Sequence, residues 1–135
     1  MKDGKYLNIN LYEIRLGENI INNIDLLDAF LFDYQCALFL VDMTNPESIW
    51  PIKELFFNIN DEKYPYLTKI IIQNKSDIME KIHHKELVIF NNFFANINNI
   101  EISLKTGENL YELLNNIYEA INSDSPEKNI FQLIK

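Results

Sequence analysis

Glycine is scarce in this chain, since Gly4, Gly17 and Gly107 are the only three among 135 residues. Loops that wrap a phosphate group closely need glycines, because side chains hold the backbone away from the anion. The three glycines are far apart, so the sequence offers no glycine-rich binding loop. Any function therefore has to rest on side chains and on other kinds of loop.

Cysteine, long apolar runs and basic charge are also limited. The single Cys36 cannot form an internal disulfide or a cysteine metal cluster, which favours a reducing, cytoplasmic location. No apolar run reaches the ~18–20 residues of a membrane span, and no signal peptide opens the chain. Twelve basic against twenty acidic residues give a net charge of −8. This charge argues against nucleic acid or an anionic membrane as the partner.

Apolar periodicity predicts a single domain over residues 1–122, followed by a polar tail over 123–135. Alternating or continuous apolar residues indicate strands near 6–14, 37–41, 69–73 and 99–104. Helical spacing indicates helices near 19–34, 47–58 and 84–97, with a last helix carrying Leu110 to Ile121. Strands that alternate with helices predict an α/β fold of three layers with a mainly parallel sheet.

Two polar loops follow neighbouring strands, at the sheet edge where ligands of open parallel sheets bind. The first is Asn74-Lys75-Ser76-Asp77. A carboxylate there can accept paired hydrogen bonds from guanine, and a lysine stem can lie against the ring. The second is Ser103-Leu104-Lys105, where a backbone N–H can meet a purine oxygen and a lysine can cover the other ring face. A solvated turn remains the alternative for the first loop taken alone.

The chain resembles the Ras superfamily of small GTPases, most closely its Rab branch, from about residue 3 to residue 122. The similar segments are Asp3-Gly4-Lys5, Leu38 to Ser48, Gln73-Asn-Lys-Ser-Asp-Ile78 and Ser103-Leu-Lys-Thr-Gly-Glu-Asn109. The resemblance implies a small-GTPase-like fold in which Asn74, Lys75 and Asp77 contact the guanine base. It places Ser103, the Leu104 N–H and Lys105 beside them.

Departures from the family pattern lie toward the amino end. The phosphate loop G-x-x-x-x-G-K-[S/T] is missing, because Gly4-Lys5 is followed by Tyr6 and preceded by too few residues. This predicts a truncated fold without the family's first strand, first helix and second strand. The family's D-T-A-G-Q-E motif falls on degenerate residues, with Glu13 at the Mg²⁺ aspartate and Leu16 and Gly17 near the γ-phosphate. Glutamate adds a methylene where Mg²⁺ needs near-octahedral geometry at ~2.1 Å.

These features predict a catalytically inactive GTPase-like interaction module with at most weak guanine-nucleotide binding and no cofactor. The alternative is a GTPase that binds GTP or GDP with Mg²⁺ and receives its phosphate loop from another chain or from a segment outside this sequence. A third interpretation is an α/β domain with an inherited loop and no nucleotide role. The expected partner is a protein or a second copy, bound at the sheet region around Leu7, Ile9, Leu11 and residues 38–41. Nucleic acid and a C-terminal prenyl anchor are not expected.

Overall fold

Strands and helices alternate along the chain, as the apolar pattern predicts. The structure is a computed structural model that describes residues 10–13, 24–31, 34–59, 62–78 and 84–122. Their elements are α1 (Ile24–Leu31), β1 (Cys36–Asp42), α2 (Ile49–Asn58), β2 (Thr68–Asn74), α3 (His84–Phe93), β3 (Asn98–Glu101) and α4 (Leu110–Asn122). A 3-10 turn, Pro46–Ser48, leads into α2.

The three described strands form one parallel sheet in the order β1-β2-β3. β2 lies in the middle and is buried through residues 69–73, which explains its continuous apolar run. β1 and β2 pair from Cys36↔Thr68 to Asp42↔Asn74, so both strands end at the same level. The prediction of a parallel α/β sheet is confirmed, and its carboxyl ends share one edge.

Helices cover both faces of the sheet, which gives the three predicted layers. On one face, Phe39, Val41 and Ile71 belong to a core with residues of α1, α2 and α3. On the other face, Ile70 and Ile72 pack with residues of β3 and α4. The two cores follow from the strands' alternation, because successive side chains point to opposite faces.

Two predicted elements end earlier than expected. The predicted helix over 84–97 stops at Phe93, and the Ile97 N–H instead donates to the Phe94 carbonyl in a turn, at 2.9 Å. Phe94 nevertheless remains buried. The helical spacing of this apolar residue therefore reflects its packing in the core and not a helical backbone. The predicted strand over 99–104 pairs only as Asn98–Glu101, since Ser103 already belongs to the following loop.

The predicted strand over 6–14 is not formed at residues 10–13, and Leu11 is exposed there. The Tyr12 ring instead packs edge-on against the Tyr34 ring, with 5.5 Å between centroids. Tyr34 comes two residues before β1, so this contact lies at the amino end of the sheet. A strand over 6–14 that ran parallel to β1 would instead place residue 12 near the carboxyl end of the sheet. Residues 6–9 and 14, like the tail over 123–135, lie outside the described residues.

A cluster of side-chain amides joins α3 to the sheet. Gln73, buried on β2, donates from Nε2 to Asn91 Oδ1 at 3.0 Å and to Asn99 Oδ1 at 2.8 Å. These acceptors lie on α3 and β3, so one glutamine fixes the helix against two strands. The position of α3 is therefore set by polar contacts as well as by its apolar face.

Candidate functional site

The two polar loops predicted from the sequence meet at the carboxyl edge of the sheet. Asn74 ends β2 and residues 75–77 follow it, while residues 103–105 follow β3. The Ser76 N–H donates to the Ile102 carbonyl at 3.0 Å, which holds the loops side by side. We call residues 74–77 and 103–105 the base loops. Their six predicted site residues are thus brought together: Asn74, Lys75, Asp77, Ser103, Leu104 and Lys105.

Asn74 ties the base loops together through its side chain. Its Oδ1 accepts a hydrogen bond from the Leu104 N–H at 3.0 Å. The asparagine amide therefore bridges residues 74–77 to residues 103–105. It also engages the N–H that was expected to meet a purine oxygen, so that oxygen would have to share or replace the Asn74 contact.

Asp77 is fixed as an anionic acceptor. The Ser103 hydroxyl donates to its Oδ1 at 2.6 Å, and Lys105 Nζ lies 3.8 Å from its Oδ2. The hydrogen bond from Ser103 lowers the pKa of Asp77 below its ordinary value, and it outweighs the opposing effect of desolvation. The carboxylate is therefore ionised at neutral pH, as guanine recognition through paired N–H donors requires.

Lys75 is held by Asp42, a contact that the sequence did not predict. Lys75 Nζ lies 2.5 Å from Asp42 Oδ2, while Asp42 Oδ1 accepts from the Thr44 N–H at 2.9 Å and its hydroxyl at 2.6 Å. Desolvation alone would raise the pKa of Asp42. The hydrogen bonds from Lys75 and Thr44 outweigh it, so this pKa is lowered. Lys75 and Asp42 lie at or next to the carboxyl ends of neighbouring strands. That position is the sequence feature from which their pairing could have been predicted.

The loop after Ser103 has its own internal supports. Gly107 adopts a φ of 84°, which side chains rarely tolerate, and its N–H donates to the Ser103 carbonyl at 2.9 Å. Glu108 Oε2 accepts from the Ser76 hydroxyl at 2.7 Å, which ties the residues after β3 to the loop after β2. Gly107 thus shapes the turn that follows residues 103–105.

The candidate Mg²⁺ residue Glu13 does not join the base loops. Its neighbour Tyr12 contacts Tyr34 at the amino end of β1. The base loops lie at the other end of this strand, whose seven residues span about 20 Å. Leu16 and Gly17 lie outside the described residues.

Two further features bear on function. Across the described ranges, no three His, Cys, Asp or Glu side chains come together as a group that could hold a metal ion. No described helix is both long and apolar enough to cross a membrane.

Comparison with models of protein families places most of the chain in a known family. A model of the Ras family matches residues 24–123. No match was found among curated proteins. The matched range includes all six residues of the base loops that were predicted to contact guanine, whereas Glu13, Leu16 and Gly17 come before it.

Proposed function

The chain belongs to the Ras family, and we propose that within this family it is a catalytically inactive GTPase-like interaction module with at most weak guanine-nucleotide binding. The base would lie on the base loops. Asp77 would accept hydrogen bonds from the guanine N1–H and exocyclic amine. Lys105, whose Nζ lies 3.8 Å from Asp77, would cover a face of the ring.

One observation carries this proposal: the base loops are assembled at the carboxyl edge, while Tyr12, the neighbour of Glu13, contacts Tyr34 at the amino end of β1. Guanine recognition and Mg²⁺ binding must occur at one edge for GTP to be held and cleaved. The ion pair between Lys75 and Asp42 supports weak binding, because it occupies one of the two lysines of the base loops that could otherwise contact a base. Leu16 and Gly17 also differ from the residues that the family uses near the γ-phosphate.

The first prediction is that the purified protein will hydrolyse GTP no faster than the buffer background. The sequence contains no glycine-rich phosphate loop, and among the described residues no metal-binding group is placed to stabilise charge on the transferred phosphate or to orient water. Phosphate release should be measured with and without Mg²⁺, on the wild type and on Asp77→Ala. Mg²⁺-dependent release that disappears in the variant would contradict the proposal and favour an active GTPase.

We also propose that the interaction surface includes the outer edge of β1. The Gln35 carbonyl and the Met43 N–H both bond to β2, so odd-numbered residues of β1 face β2 and even-numbered residues face outward. Among the described residues, the outward backbone groups of Leu38 and Leu40 have no hydrogen-bond partner. Leu40 is also 53% exposed. An open apolar edge of this kind favours pairing with another strand.

The second prediction is that the protein self-associates through this edge. Sedimentation velocity at increasing concentration should show dimers or larger species. Leu40→Lys should shift the distribution toward monomer, because a charged residue on an edge strand opposes pairing. Val88→Lys on α3 serves as the matched control and should leave it unchanged. A monomer at high concentration, with cooperative melting, would contradict this part of the proposal.

The nearest branch and the location are proposed on sequence grounds. We propose the Rab branch, because the chain as a whole resembles that branch of the family most closely. The single Cys36 supports a reducing, cytoplasmic location.

A further inference from the structure

An apolar groove lies between α2 and α3, on the sheet face opposite α4. Its walls include Ile49 and Trp50 from α2, together with Ile89, Phe90 and Phe93 from α3. The cavity volume is about 90 Å³, several times the ~30 Å³ that one water occupies in the liquid. The groove thus has room for an apolar side chain, and its lining is almost entirely apolar.

The rim of the groove exposes large aromatic side chains. Trp50 is 67% exposed. Phe57, which lines a second depression farther along α2, is 66% exposed. The Phe57 ring packs against Phe93 at 5.2 Å between centroids, which joins the groove and this depression into one surface. Exposed tryptophan and phenylalanine around a pocket are typical of the residues that dominate binding energy at protein interfaces.

A lysine ammonium lies in the middle of this surface. Lys53 Nζ is 4.6 Å from the centroid of Phe93 and 5.6 Å from that of Trp50. Among the described residues, no carboxylate forms an ion pair with it, although Glu54 and Glu86 also line the surface. The aromatic rings hold the cation in place and leave its outer side available for an anionic partner. We call this surface the Lys53 groove.

We propose that the Lys53 groove binds an amphipathic segment of a partner protein that carries a carboxylate next to an apolar anchor residue. The anchor would enter the cavity between α2 and α3, and the carboxylate would pair with Lys53. In helix-in-groove recognition, apolar anchor residues recur at i, i+3 or i+4, and i+7 along one face of the bound helix. Charge complementarity argues for this occupant, because the Lys53 ammonium lies among apolar and aromatic side chains where a partner's carboxylate would meet it.

Trp50 makes the proposal directly testable, because it is the only tryptophan of the chain. The probe is a synthetic helical peptide with leucines at i, i+4 and i+7 and one glutamate between them. Two matched peptides carry glutamine or lysine in place of that glutamate. Binding of the glutamate peptide should shift the Trp50 emission to shorter wavelength. Its affinity should exceed that of the glutamine peptide by about threefold to fivefold, and the lysine peptide should bind most weakly.

Variants separate the groove from nonspecific binding. Lys53→Met keeps the aliphatic stem and should make the three peptides bind equally. Phe93→Ala should weaken all three, while Tyr111→Ala, which removes an exposed ring on α4, should change nothing. Thermal melts confirm that each variant is folded.

Three outcomes would overturn the proposal. The first is equal affinity for the glutamate and glutamine peptides in the wild type. The second is a blue shift of Trp50 that grows with protein concentration alone, which would make a second copy the occupant. The third is a red shift caused by Phe131→Ser alone, which would indicate that residues of the chain's own tail fill the groove.

Discussion

GTP, GDP and guanosine are expected to bind this protein with closely similar dissociation constants, and adenosine is expected not to bind. Asp77 can distinguish guanine, because adenine lacks the paired N–H donors. No described residue makes a site for phosphates, so phosphate number should have no effect. At ~0.3–0.5 kcal/mol per heavy atom, guanine would contribute about 3 to 6 kcal/mol, which corresponds to millimolar to tens-of-micromolar affinity.

Asp77→Ala should weaken guanosine binding at least about tenfold, since it removes two charge-assisted hydrogen bonds. Glu112→Ala, at an exposed carboxylate of α4, is the matched control and should leave binding unchanged. Ligand-observed NMR suits these weak affinities, and calorimetry can compare guanosine with GTP. GTP binding much more tightly than guanosine would contradict base-only recognition. Binding of neither compound would indicate an inherited loop without a nucleotide role.

The second large effect is expected at Asp42. Asp42→Asn should lower the free energy of unfolding at pH 7 by about 1–2 kcal/mol, because it removes the ion pair with Lys75 and weakens the contacts to Thr44. It should also release Lys75 toward a bound base. Guanosine affinity should therefore rise while stability falls, a combination that general unfolding would not produce.

The pH dependence of stability has a definite sign. The pKa of Asp42 is lowered from 3.8 in the folded protein. Its stabilising contribution is therefore fully present above 3.8 and is lost as the pH falls through the lowered value. Urea denaturation between pH 7 and pH 2.5 should show that the free energy of unfolding falls less steeply with decreasing pH for Asp42→Asn than for the wild type. Glu112→Gln provides the control, and equal slopes for wild type and Asp42→Asn would refute the stabilising role of the ion pair.

The sheet and the base loops could be predicted because their signals are local. The apolar run over 69–73 predicts a buried central strand, and β2 has that position. The motif residues Asn74 and Asp77 follow it directly, so the strand's end locates them. The family model confirms the small-GTPase-like fold over residues 24–123.

The remaining features depend on contacts between distant residues. Lys75 and Asp42 are 33 residues apart, and their pairing requires the register that aligns Asp42 with Asn74. The sequence did not predict the end of α3, because Phe94 continues the helical spacing of apolar residues although its backbone lies in a turn. Apolar spacing reports which face is buried, and the backbone that buries it can be a helix or a turn.

The backbone at Lys75 has a φ of 71°, in the left-handed region. A residue with a side chain costs about 1–2 kcal/mol there, so the loop stores strain that its contacts must hold. The Ile78 N–H, which donates to the Lys75 carbonyl at 3.1 Å, and the hydrogen bonds that Asn74 and Asp77 accept from Leu104 and Ser103 provide that hold. The loop therefore has its shape before any base arrives, and weak binding would come from few contacts rather than from disorder. Such a site exchanges its ligand rapidly, so its occupancy would follow the free concentration of guanine compounds from moment to moment.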